Sequence, residues 1–312
     1  MIPLFDLHCD TPRYIYDLNL KLADSNGHIS LKKAEAFAPY IQVAAIWCTF
    51  ENEEKAIATF RGTIDKFDAE CDENGCDIIL GGAELKESVK KQKSGCKTPG
   101  FIYCIEDCGF ITDENILSEV YERGVRILIP MWGKTNALGA SHEASGGLTP
   151  LGKRILTAAA KMGMILDISH ASVDSATDIM DIAEKTGCAV IASHSNSRSF
   201  YDHTRNLNSY QIKRLVSLGG IIGHSLCPWH LADHGNADAN TVISNIEALI
   251  SEAGEDNVCF GCDLDGTDIP DGFDGLTSLA GFYELLKQRF SQEIADKLYF
   301  NNAYRKLTQF LK

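Results

Sequence analysis

The chain reads as a series of short, continuous apolar runs, each followed by a polar turn and then by a stretch with helical spacing. The runs cover residues 3–10, 41–50, 100–105, 125–131, 164–170, 188–192, 220–224 and 257–263, with a short extra apolar segment at 77–80. Between them, Ala56, Ile57, Phe60, Ile64 and Phe67 recur at intervals of three and four, which predicts a helix over 51–70. Helices are likewise predicted over 113–123, 150–162, 172–185, 210–217, 239–252, 276–289 and from 292 to the end. Thr149 and Pro150 supply an N-cap and a first-turn proline for the helix over 150–162. Residues 19–28 are polar, and the mixed segment that continues to Tyr40 predicts a loop with a short helix covering one end of the fold. Strands buried on both faces lack apolar–polar alternation, so eight such runs separated by helices predict a parallel sheet. The expected class is α/β, as one (β/α)8 TIM barrel over residues 1–312. An open doubly wound sheet is the other arrangement, but no GxGxxG follows the first run to cradle a dinucleotide.

In such a barrel the C-terminal ends of the strands meet at one face, so residues far apart in sequence converge there. The first run ends in His8 and Asp10, whose i, i+2 spacing points both side chains the same way along a strand. A lone His-x-Asp is more often a polar turn. The other ends change that reading: they carry Glu106, His170, His194 and Asp263. Imidazole and carboxylate together suit divalent first-row cations. One catalytic zinc needs three protein ligands, whereas three histidines and three carboxylates can hold two cations with one carboxylate between them. Paired cations of this kind suit hydrolysis.

Composition narrows the partners. The chain has 45% hydrophobic and 23% charged residues, ordinary for a globular protein, and a formal net charge of −14. That charge repels phosphate backbones and anionic lipid, so no nucleic acid and no membrane surface is expected. No apolar run reaches the roughly 18 residues of a membrane span. The opening residues show no basic, apolar and cleavage regions of a secretory signal, and eleven cysteines lie partly within apolar strands. Reduced thiols in a cytoplasmic protein are expected. Neither Cys71 with Cys76 nor Cys104 with Cys108 has the paired spacing of a structural zinc site.

Several stretches together resemble the membrane (renal) dipeptidase family of barrel metallohydrolases. They are residues 5–12 (FDLHCDTP), Glu106, residues 147–152 (GLTPLG), 162–170 (MGMILDISH), 192–195 (ASHS), 205–207 (RNL) and 261–266 (GCDLDG). The resemblance implies a dipeptidase with two zinc ions, acting by a metal-bridging hydroxide on a small dipeptide, and commonly a homodimer. It implies His8, Asp10 and Glu106 as ligands of one zinc, with Glu106 bridging to the other, which His170 and His194 complete. It further implies Arg205 as the partner of the substrate carboxylate, and Asp263 as the group that takes a proton from water and passes it to the leaving amine. Where the family places a Thr-His at the fourth strand end, this chain has Met131-Trp132, and indole N–H is only a donor. Trp132 therefore makes substrate preference the open question, and His142 in the next loop is the alternative imidazole. His224, His230 and His234 are expected on a loop rim, His203 in a supporting role and Lys134 in solvent; Asp265 and Asp268 are expected as hydrogen-bonding partners near Asp263. A related binuclear amidase on another acyl-amino compound, or a metal-bound protein without turnover, are the competing functions.

Overall fold

The structure, a computed structural model, describes residues 1–48 and 52–312. Its strands are β1 (Ile2–Cys9), β2 (Phe37–Trp47), β3 (Asp77–Ile78), β4 (Gly100–Glu106), β5 (Val125–Ile129), β6 (Ile165–Asp167), β7 (Val190–Ile191), β8 (Ile222–His224) and β9 (Val258–Phe260). All pair in parallel, in the spatial order β7-β6-β5-β4-β2-β1-β9-β8, and β3 adds to the start of β4. A parallel bridge between Ala192 and Ile222 joins the two outer strands, with Gly223 N–H donating to Ala192 O at 2.8 Å, so the sheet comes round on itself. This is the α/β (β/α)8 barrel that the apolar runs predict. The predicted strand end at Thr49 and Phe50 and helix start at Glu51 lie outside the described residues.

Helices follow the strands around the outside: Glu53–Asn74, Glu114–Glu122, Pro150–Lys161, Val173–Thr186, Ser209–Ser217, Ala239–Ala253 and Leu276–Arg289. Asn52, Asp113, Thr149, Ser172, Asn208 and Asp238 cap six of them by accepting a first-turn N–H on the side-chain oxygen. Alternate strand residues divide the core. Leu4, Ala44, Phe101, Tyr103 and Ile105 pack outward against helices. Phe5, Leu7, Val43, Ala45, Ile102, Cys104, Ile127 and Ile129 face inward, and the C-terminal segment adds Phe300, Leu307 and Leu311 to them. Glu106 lies on the inward face of β4, two residues beyond Cys104.

Several boundaries differ from the sequence reading. β2 starts at Phe37 rather than 41, because Pro39 falls where β2 pairs with β1 but has not yet met β4, whose pairing begins at Ile41. Thr11–Asp17 is a helix with Pro12 in its first turn, so the proline opens a helix as well as ending the strand. β6 and β9 stop three residues before His170 and Asp263, each of which adopts a left-handed backbone (φ 64°). Among the described residues, no helix is long and apolar enough to cross a membrane.

Candidate metal centre

Each predicted ligand reaches the same point above the inner core. His8 is buried at the end of β1, and its Nε2 lies 3.5 Å from Asp10 Oδ2, 3.9 Å from Glu106 Oε2 and 3.7 Å from Asp263 Oδ1. On the other side, Glu106 Oε1 is 3.0 Å from His170 Nε2 and 3.3 Å from His194 Nε2, and the two imidazole nitrogens are 2.9 Å apart. Glu106 thus turns one oxygen to each half of the cluster. Around a tetrahedral zinc with bonds of about 2.0–2.1 Å, ligand atoms stand about 3.3 Å apart, the scale of these spacings.

The electrostatics ask for a cation. Burial raises the Glu106 carboxyl well above its ordinary range, and raises Asp263 to about 7. Burial, with the nearby Arg205 charge, drives His170 and His194 down toward the neutral, ligating form. Burial pulls His8 down as well, but Glu106 and Asp10 together outweigh it and raise it. His8 Nε2, Asp10 Oδ1 and Glu106 Oε1 are buried without a hydrogen-bond partner among the described residues. Uncompensated buried donors and acceptors are costly, and divalent cations would satisfy these. The donor set therefore fits divalent cations, and its side chains fall into three overlapping groups of ligand atoms: His8, Asp10 and Glu106; Glu106, His170 and His194; and His8, His194 and Asp263.

Two aspartates not singled out in the sequence hold these ends in place. Asp6 Oδ1 accepts the His8 and Cys262 N–H groups, each at 3.0 Å, tying the end of β1 to the end of β9. Asp167 accepts Ser169 N–H at 2.7 Å and Ser193 N–H at 3.1 Å, tying the segments that carry His170 and His194. The signal was present as an acid two residues before His8 and three before His170, but a buried carboxylate serving backbone N–H groups has no distinct local pattern. Ser193 Oγ lies 2.8 Å from His194 Nδ1, leaving Nε2 turned to the centre.

Arg205 is buried beside the cluster. Its Nη2 donates to His194 O at 2.7 Å and its Nη1 to Ser195 Oγ at 3.0 Å, which leaves further N–H groups for an anion. Trp132 is 40% exposed, its ring 6.4 Å from that of His170. His142 is half-buried, with its ring 5.8 Å from His170, and lines the same cavity as His203, His230 and Asp263. His203 Nδ1 accepts the Arg205 backbone N–H, a supporting role as expected. Asp265 instead accepts from Thr11 Oγ1 at 2.6 Å, and Asp268 from Trp229 Nε1 at 3.3 Å, so neither bonds to Asp263. The expectation for His224 is corrected: it is no loop residue but the last of β8, fully buried against Phe260, because outward-facing β8 positions pack under the helices.

The sequence profile of the membrane dipeptidase family, Peptidase family M19, matches residues 1–310. The chain belongs to this family. This M19 chain is 28% identical over 212 residues to an uncharacterized protein from the pqqA 5′ region of Klebsiella pneumoniae, a match covering 64% of the chain and 77% of that protein. It is 28% identical over 204 residues to the dipeptidase tcpJ of Claviceps purpurea, covering 62% of the chain and 47% of that protein. The chain spans less than half the length of tcpJ and of three further curated relatives it matches. Its fold is that of a metallopeptidase from Rhodobacter sphaeroides solved with a phosphinate mimic of the dipeptide L-Ala-D-Ala: TM-score 0.89, 21% identity, 98% of each chain covered. Membership of this metallopeptidase family carries with it a requirement for divalent metal.

Proposed function

We propose that this chain, as one metallohydrolase domain over residues 1–312, cleaves the peptide bond of small dipeptides in the cytosol. Two zinc ions would be held by His8, Asp10, Glu106, His170 and His194. The observation that carries the reading is the two-sided Glu106, which faces imidazole nitrogen from both halves of the cluster. When bound, the cations supply Lewis-acid polarisation of the scissile carbonyl and acidify the attacking water.

The chain's own groups do the rest. Arg205 offers its remaining guanidinium N–H groups to the substrate carboxylate and so fixes the peptide over the centre. Asp263, raised to about 7 by burial, is suited to accept a proton near neutral pH and return it to the departing amine. Ser193 holds His194 through Nδ1, and the Asp167 carboxylate holds Ser193. The cysteines are placed as free thiols, in keeping with a cytosolic setting.

The test is to quantify metal per purified chain and to assay L,L-, L,D- and D,D-dipeptides with and without chelator. Close to two zinc ions with chelator-sensitive cleavage is expected. Two metals with no cleavage of any dipeptide would overturn the reading and point to another amide substrate.

A further inference from the structure

Trp132 stands where two hollows meet over the ligand cluster. One, of about 490 Å³, runs past His170, His142, His230 and Asp263. The other, of about 370 Å³, lies against Asp10 and Glu106 and continues to Arg13, Tyr14 and Trp47. Among the described residues only Trp132 and Gly266 line both, so the candidate ligands form the saddle between them. A peptide bond placed over that saddle sends one residue into each hollow.

Charge decides which residue goes where. Arg205 is anchored to His194 and Ser195, on the same side of the cluster as His170, and draws a free carboxylate that way. Beyond the candidate ligands Asp10 and Glu106, the second hollow is lined by Asp17 and Asp265 against the single guanidinium of Arg13, an acidic surplus that suits the free ammonium group. The side chain of the first residue therefore enters the second hollow. Its upper wall is aromatic: the Trp47 and Trp132 rings meet edge to face, with centroids 5.0 Å apart and planes at 67°. The Arg13 guanidinium lies over Trp47 at 5.1 Å, bonded to Asp17 at 2.8 Å and to Trp47 O at 2.9 Å, so a flat cation already committed to partners extends that wall. Large flat side chains gain most from such a surface, by edge-to-face and stacked contacts beyond the area they bury.

We propose that Trp47 and Trp132 form the subsite for the first side chain of the dipeptide and select an aromatic one. The proposal rests on the dipeptidase reading and deepens it. Trp132 then has a positive role, as a wall rather than as a substitute for imidazole.

The experiment compares kcat/KM for zinc-loaded protein on a series Xaa-Ala, with Xaa as Gly, Ala, Leu, Phe, Trp, Asp and Lys. Phe-Ala and Trp-Ala are expected to exceed Gly-Ala by at least about tenfold, the scale on which apolar pockets discriminate. In Trp132→Ala and Trp47→Ala that ratio should collapse toward one, whatever happens to the absolute rates. A flat series, a preference for Asp or Lys, or a ratio that survives both substitutions would overturn the proposal. If no dipeptide is cleaved, the dipeptidase reading fails by itself, and the subsite is judged by binding of Phe-Ala and Gly-Ala followed through tryptophan fluorescence. Tighter binding of Phe-Ala, by about tenfold and lost in Trp132→Ala, sustains the subsite; equal binding sinks it.

Discussion

Gly266 shows how little room the centre leaves. A Cβ added there would run into the carboxylates of Asp10 and Asp263, one a candidate ligand and the other the candidate proton carrier. The loop after β9 comes this close because Asp263 N–H donates to His8 O and Asp10 N–H to Leu264 O, so the ends of β1 and β9 are laced together. Gly266→Ala is expected to lower kcat/KM by about a hundredfold, as misplacing reacting groups by an ångström does. Bound metal should fall as well, while far-ultraviolet circular dichroism stays unchanged. Wild-type rates with full metal content would show that the carboxylates can yield. Glu106→Gln makes a second prediction at this scale. With one oxygen on each half of the cluster, its loss should lower the occupancy of both cations together, as read by metal analysis after dialysis against a weak chelator.

The strand ends work in pairs. Asp6 joins β1 to β9, and Asp167 joins the ends of β6 and β7. Each aspartate therefore governs one half of the cluster. Asp167→Ala should weaken the cation at His170 and His194 by about 10–100-fold, the usual effect of removing a partner that orients ligands, and leave the one at His8 and Asp10 in place. A titration with a chromophoric chelator is then expected to find one tight cation against the two expected for the parent chain; parallel loss of both would remove Asp167 from this role. At this scale the sequence was legible in part. The runs and the helical spacings locate the elements, since burial on both faces and a 3.6-residue period are local patterns. The ends of β6 and β9 were not legible, because apolar content continues through Ile168 and Cys262 although the regular strands stop at Asp167 and Phe260.

For the molecule as a whole, buried imidazoles set the acid limit. His224 is buried against Phe260, and both of its ring nitrogens lack a hydrogen-bond partner among the described residues. Burial holds it down at about 3 from its ordinary 6.5. A histidine depressed in the fold stabilises the folded chain above pH 6.5. That stability drains as pH falls toward 3, because the unfolded chain takes up a proton that the folded one refuses. One such group corresponds to roughly 3 kcal/mol between pH 6.5 and pH 4. His142 and His230, also depressed by burial, act in the same direction. The thermal midpoint is expected to fall steadily over that range, and His224→Leu to flatten the fall. An unchanged slope in the variant would show that His224 does not contribute.

The barrel class, the order of its strands along the chain and the four strand ends that carry the candidate ligands could be read before folding, because each depends on a run of neighbouring residues. Which groups touch could not. That Asp6 and Asp167 clamp the strand ends, that Trp132 meets Trp47 and that His224 turns into the core all depend on segments brought together from distant parts of the chain. Those distances are set by closing the sheet and by packing its two faces, and no local pattern encodes them.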